Sequence, residues 1–343
     1  MSGRFSLTRT VVVAALLIAG VAWSTAARAQ PVIVDTAYVE DAIRRGALIW
    51  DVQSQNVYLR GHIPGAVNID SITDVLRDSR SEDYIEISQI ERILGDAGID
   101  TSREIVLYGS KARPAAYFGY VTLRYLGVNN VVVYHGGIDD WKAAGNSVET
   151  NLVKLTPTTF NAVPDPGQLV TTREVIQKLG DPWVQIVDAR TVNEYAGDDI
   201  RALRGGHIPG AVNIPYETNW VEPDTPGKLA RRKVDNKDGM NLKSRDALEA
   251  MYAQLDKDKE TIVYCQSGAR ASESAVILRE LGFNNVRIYD SSWLGYGNTF
   301  DAPAENVSYF NVGQVNRMIR SLQMQIDMLE GEIATLKAGQ GKQ

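Results

Sequence analysis

Cys265 is the only cysteine in the chain and the residue best suited to nucleophilic chemistry. It ends the β-branched run Thr261-Ile262-Val263-Tyr264 and opens the loop Gln266-Ser267-Gly268-Ala269-Arg270, after which a helical pattern begins near Ala271. A tight loop entering a helix turns backbone N–H groups inward, and the helix dipole adds positive potential. Gly268 permits the tight backbone, and Arg270 brings a fixed charge with bidentate reach. Surroundings of this kind favour a thiolate over a thiol, and they suit an anionic substrate or a persulfide on the cysteine. The bland alternative is an inert buried cysteine. Placement between strand and helix, with Gly and Arg following, argues against it.

The remaining polar motifs read as structural. His62 and His207 recur in the two halves of the chain, with Pro64 and Pro209 fixing the turns that follow them. Asp51 and Asp188 end apolar runs and are expected to bond loop backbone. Arg190 is expected to pair with a nearby acid, with substrate binding as the alternative. Trp141, Trp293 and Tyr296 read as core or cleft wall. The basic stretch Lys228–Lys237, with Arg231 and Arg232, reads as a solvated loop, with a site for an acidic partner as the alternative. One cysteine and three histidines rule out an internal disulfide and argue against a Cys/His zinc site.

These residues sit in a duplicated framework. Gly61-His62-Ile63-Pro64-Gly65-Ala66-Val67-Asn68-Ile69 returns unchanged as Gly206-His207-Ile208-Pro209-Gly210-Ala211-Val212-Asn213-Ile214. Leu126-Gly127-Val128-Asn129-Asn130-Val131 returns as Leu281-Gly282-Phe283-Asn284-Asn285-Val286. The second copy carries insertions between Asp188 and Gly206 and again before Cys265. Two copies of this size mean two domains of one fold rather than a solenoid. In copy two, 184–187, 212–214, 261–264 and 286–289 read as strands, and 173–179, 245–255 and 271–281 as helices. The alternation predicts two α/β domains, over 31–150 and 166–300. Each is a parallel sheet covered on both faces, and 151–165 connects them. In copy one, Val106-Leu107-Tyr108 leads to Gly109 where copy two has Cys265.

The chain has 343 residues, 36 basic against 42 acidic, with 44% apolar and 23% charged content. That composition excludes a disordered, collagenous or multi-spanning membrane protein and leaves room for two cores. The acidic balance argues against nucleic acid as a partner. Arg4 and Arg9, the apolar run 11–23 and the small-x-small site Ala27-Arg28-Ala29 predict a signal peptide over 1–29, cut after Ala29. The mature protein is then expected in a bacterial periplasm, off the membrane. An uncleaved anchor is the alternative.

At the other end, Val315, Ile319, Leu322, Ile326, Leu329, Ile333 and Leu336 alternate spacings of 4 and 3. Phe310, Asn311 and Gln314 supply a hydrophobic staple and a capping box. β-branched residues at a with Leu at d favour a parallel two-stranded coiled coil, so 311–337 predicts a homodimer through 312–337. Glu332 at g then faces Lys337 at e of the partner. A helix folded back on its own domain is the alternative.

Over about residues 31 to 300 the chain resembles the tandem-domain rhodaneses, sulfurtransferases of the thiosulfate or 3-mercaptopyruvate kind. Tyr58 followed by His62-Ile63-Pro64-Gly65-Ala66 matches the family's first signature. The run Tyr289 to Tyr296 matches its second in part, with Ser291 and Gly295 where the family usually has Gly and Glu. The six-residue loop Cys265 to Arg270 matches the sulfurtransferase active loop. The resemblance implies that only copy two is catalytic and that copy one is a structural or cleft-forming half. It implies a two-step relay through a Cys265 persulfide, from a small anionic sulfur donor to a thiol or cyanide, without metal or organic cofactor. Loop amides from Gln266 to Arg270 would hold the persulfide, and Arg270 and Ser267 the donor. Glu194 stands near the place of a family substrate-binding Arg; Arg190, Arg201 and Arg204 are the candidates left for that task. Two other classes compete. A cysteine phosphatase needs five residues between Cys and Arg, and here there are four. A non-enzymatic docking, redox-sensing or sulfur-carrying module would use the inactive copy, the coiled coil and Cys265.

Overall fold

The computed structural model describes residues 31–78, 81, 83–309 and 312–340. The leader expected over 1–29 and the cap expected at Phe310 and Asn311 lie outside them. Copy one forms a five-stranded sheet from β1 (Ile33–Val34), β2 (Leu48–Asp51), β3 (Val67–Asn68), β4 (Ile105–Tyr108) and β5 (Val131–Tyr134). Their order is β1-β5-β4-β2-β3, with every pairing parallel. Copy two repeats it with β6 (Leu169–Val170), β7 (Val184–Asp188), β9 (Val212–Asn213), β10 (Glu260–Tyr264) and β11 (Asn285–Tyr289), in the order β6-β11-β10-β7-β9. The central strands are buried on both faces, as a parallel sheet under two helical layers requires.

The two copies meet through equivalent helices, Pro114–Tyr125 and Ala269–Glu280. Both are buried nearly all round rather than along one stripe, the pattern of a helix held between layers. Leu107, Phe118 and Val121 of copy one share one apolar core with Val263, Ala275 and Val276 of copy two. The connection 151–165 lies against copy one, anchored by buried Phe160 and by the Thr158 N–H donating to Gly95 O at 2.9 Å.

Two features depart from the sequence reading. Arg204–His207 (β8), at the end of the first insertion, pairs antiparallel with Glu305–Tyr309 (β12), beyond the expected end of copy two, in an added ribbon. The basic stretch is not simply a solvated loop. Lys237 bonds Asp139 of copy one at 2.8 Å, and the adjoining Met240 packs with Trp220 onto Ala112. The helix Val312–Gln340 is present. Ile319, Leu322, Ile326, Leu329, Ile333 and Leu336 are each about half exposed or more, so that seam is not folded onto its own domains. No helix of the described residues is long and apolar enough to cross a membrane.

Candidate active site

β10 delivers Cys265 to the carboxyl edge of the second sheet, where it is buried and unbridged. The helix starts at Ala269, earlier than near Ala271, because Gly268 takes a left-handed φ of +83° and caps it. The loop proper is therefore Cys265 to Gly268, with Ala269 and Arg270 in the first turn.

Ser292, itself at a positive φ of 49°, braces this loop. Its hydroxyl accepts from Cys265 N–H at 3.1 Å and Gly268 N–H at 3.0 Å, and donates to Tyr289 O at 2.7 Å. Trp293 and Leu294 donate to the carbonyls of Cys265 and Gln266, and Gln266 Nε2 donates to Arg201 O at 2.7 Å. Ala269 N–H turns to Ser267 O. That leaves the N–H groups of Gln266, Ser267, Arg270 and Ala271 without an acceptor among the described residues. Four free amides around one strand end and helix start form an anion cradle. Gly268 and Ala269, expected in the cradle, have their amides engaged; Ala271 joins it instead.

The equivalent loop of copy one is closed. Ser110 N–H donates to Gln53 Oε1, Lys111 N–H to Asp139, Ala112 N–H to His135 O and Arg113 N–H to Ser110 O. Gln53 occupies the place that Arg190 holds in copy two. Both backbone N–H groups bond the strand-end aspartate, Asp51 or Asp188. An Arg side chain has no acceptor, so it cannot cap the loop amide as Gln53 does. Copy one thus lacks the nucleophile, and of the amides equivalent to the free four, those of Ser110 and Lys111 are engaged, Pro114 has none and only that of Ala115 is without an acceptor among the described residues.

The candidate arginines part company here. Arg190 is buried, donating to both Asp188 oxygens and to Gly206 O, with its guanidinium 4.6 Å from the Trp293 ring. Arg204 Nη2 donates to the carbonyls of Thr299 and Ala302 at 2.9 and 2.8 Å. Both guanidiniums are held in structural bonds. Arg201 is half exposed and reaches Glu194 at 3.2 Å. Arg270 makes a fork with both Glu194 oxygens at 2.7 and 2.8 Å, beneath the Tyr216 ring. Glu194 is itself fixed by a capping box with Thr191. Burial pushes the Glu194 carboxyl up, but the Arg270 fork and the Thr191 bonds outweigh it and hold it at about 2. Burial opposes the charge on Arg270 too; the Glu194 bonds and the negative form of Cys265 raise it above its ordinary value. Burial raises the nearby Glu217 carboxyl.

His62 and His207 are packing residues. Each stacks on a tyrosine, Tyr58 or Tyr195, at 3.8 and 3.6 Å, and bonds that residue's carbonyl through Nδ1. Among the described residues no cluster of His, Cys, Asp and Glu could hold a metal ion. Sequence reasoning missed Ser292 and Arg77. Ser292 lies in the second signature, which was its available signal. Arg77 lies outside every repeated motif.

A duplicated parallel α/β domain, with a buried cysteine at one strand end and a glycine at the equivalent end, defines a tandem two-domain class. The chain belongs to the rhodanese family: the rhodanese-like domain matches residues 35–144 and again 171–299. It is 32% identical over 261 residues to the "Thiosulfate sulfurtransferase" of Corynebacterium glutamicum, covering 73% of this chain and 81% of that one. It is 31% identical over 288 residues to a Mycolicibacterium smegmatis protein named "Putative thiosulfate sulfurtransferase", covering 80% of this chain and 97% of that one. In fold it is similar to the anaerobic ergothioneine biosynthesis enzyme of Chlorobium limicola, with a TM-score of 0.70 at 23% identity over 80% of this chain and 70% of that one.

Proposed function

We propose that the protein moves a sulfane sulfur from thiosulfate, or a similar small anion, to a thiophilic acceptor through a Cys265 persulfide. The Cys265 thiolate attacks the outer sulfur of the donor and forms a new S–S bond. The S–S bond within thiosulfate breaks, and sulfite leaves with the electron pair. An acceptor thiolate or cyanide then attacks the terminal persulfide sulfur, and Cys265 departs as thiolate. The observation that carries this reading is the set of free amides of Gln266, Ser267, Arg270 and Ala271 beside a buried, unbridged cysteine. Fixed donors of this kind stabilise charge at little reorganisation cost. Sulfurtransferase names among relatives matched over 97% and 81% of their own length support the same chemistry.

Donor recognition falls to the amides, the half-buried Ser267 hydroxyl and Arg201. Arg270 shares its charge with Glu194 and acts mainly by holding the first helical turn in place. Copy one serves as the structural half, and the relay uses no metal or organic cofactor. The leader pattern supports export to the periplasm, and the uncovered heptad seam supports a homodimer through 312–337. Cys265→Ser tests the chemistry: it is expected to abolish sulfur transfer with circular dichroism and melting unchanged. Appreciable turnover in that variant contradicts the mechanism.

A further inference from the structure

Arg77 belongs to copy one, yet its guanidinium is buried against the Cys265 loop of copy two. Its side chain is 3% exposed. Nη1 donates to Ser267 O, and Nη2 donates to Asp290 Oδ1 at 2.5 Å. The same plane lies 4.6 Å from the Phe118 ring and 5.8 Å from the Tyr84 ring, both of copy one. Arg fits this place because a planar fork can stack on aromatics while its edge bonds a carbonyl and a carboxylate. Ser291, beside Asp290, adds a second link by donating to Asp83 of copy one at 2.6 Å.

The consequence for the loop follows from peptide geometry. In a trans peptide the C=O and the next N–H point in opposite directions. Arg77 holds the Ser267 carbonyl on one side, and Ser292 holds the Gly268 N–H on the other. The Ser267–Gly268 peptide is pinned at both ends. A Cβ on Gly268 would stand 2.6 Å from Asp290 Oδ1 and 3.1 Å from Arg77 Nη2. Glycine is thus required by the ion pair as well as by its φ. Pinning this peptide fixes the directions of the neighbouring Ser267 and Arg270 amides that form the cradle.

We propose that Arg77 is a positioning residue for the reaction at Cys265, so that the copy without a nucleophile sets the loop conformation of the copy with one. The chemistry of this inference rests on the sulfur-transfer reading; its geometry does not. The test uses the full chain carrying Arg77→Met, Arg77→Lys or Asp290→Asn. Two quantities are read per folded molecule. One is the single-turnover rate of persulfide formation with thiosulfate, by intact mass. The other is amide hydrogen exchange over 265–272. Arg77→Met is expected to slow persulfide formation by about ten-fold or more and to speed exchange of the Gly268 amide by a similar factor. Arg77→Lys, which keeps a donor for the Ser267 carbonyl, is expected to recover part of both. If Arg77→Met fails to fold, Asp290→Asn carries the test, with the same directions and smaller size. Wild-type rates and exchange in the folded variants overturn the proposal. So does equal loss in the Lys and Met variants, which marks a merely structural role. Faster exchange in the variants with no persulfide even on the wild type upholds the positioning and overturns the sulfur-transfer reading instead.

Discussion

Glu194 sets the electrostatics beside Cys265. A family resemblance leads one to expect an Arg near this position; the acid instead forks with Arg270 and reaches Arg201. Arg270 and Arg201 share this corner with two carboxyl groups, Glu194 and Glu217, so anion binding leans on the amides. The Glu194 carboxyl titrates at about 2 in the fold against an ordinary 4.5. A depressed carboxyl contributes stability that is present above its unfolded value and lost as pH falls toward its folded value. The pair's contribution is therefore present at neutral pH, on the order of 3 kcal/mol, and drains away between about pH 4.5 and 2. Glu194→Gln also leaves Arg270 largely buried without its counter-charge. Chemical denaturation is expected to find that variant less stable at pH 7, with the gap narrowing as pH approaches 2. A gap independent of pH contradicts the pairing.

At the scale of elements, the sequence was most readable where chemistry and repetition coincide. The four strands expected in copy two fall within a residue of their limits, because buried parallel strands are short β-branched runs bounded by loops, while the two-residue edge strand Leu169–Val170 was missed. The start of the Ala269 helix was missed because φ at Gly268 decides it. The β8–β12 ribbon was missed because Arg204-Gly205-Gly206-His207 lacks strand character and forms only by tertiary pairing. The free amides at Cys265 were expected in kind, but which ones stay free depends on Ser292, a hydroxyl from a distant turn. The C-terminal helix was legible as a period, and its seam residues from Ile319 to Leu336 are exposed. Deleting 312–343 is expected to halve the mass in light scattering with little loss of activity. An unchanged mass contradicts dimerisation through this helix.

Across the whole molecule, the copy with Gly109 is bound into the copy that carries Cys265 rather than tethered beside it. The shared core around Phe118 and Val276, the His135 Nε2 contact with Met240 O at 2.9 Å, and the Arg77 clamp all cross the boundary. Burial keeps His135 neutral, holding it at about 4. A core common to both copies predicts one cooperative unfolding transition in calorimetry for residues 30–343, since neither copy can keep its inner helix buried alone. Two resolved transitions would contradict it. None of the cross-copy contacts was visible in the sequence, because Arg77, His135 and Met240 sit outside the motifs, and Asp290, though inside the second signature, meets Arg77 only when the copies pack.

The central claim is that Cys265 carries sulfur between two substrates. Intact mass of the purified protein, after incubation with thiosulfate, with 3-mercaptopyruvate or with no donor, tests it most directly. A gain of one sulfur atom on the wild type, absent in Cys265→Ser and removed by cyanide or dithiothreitol, is the predicted result. No adduct from either donor, with the thiol shown to be free, would contradict the account and leave Cys265 to a docking or redox-sensing role.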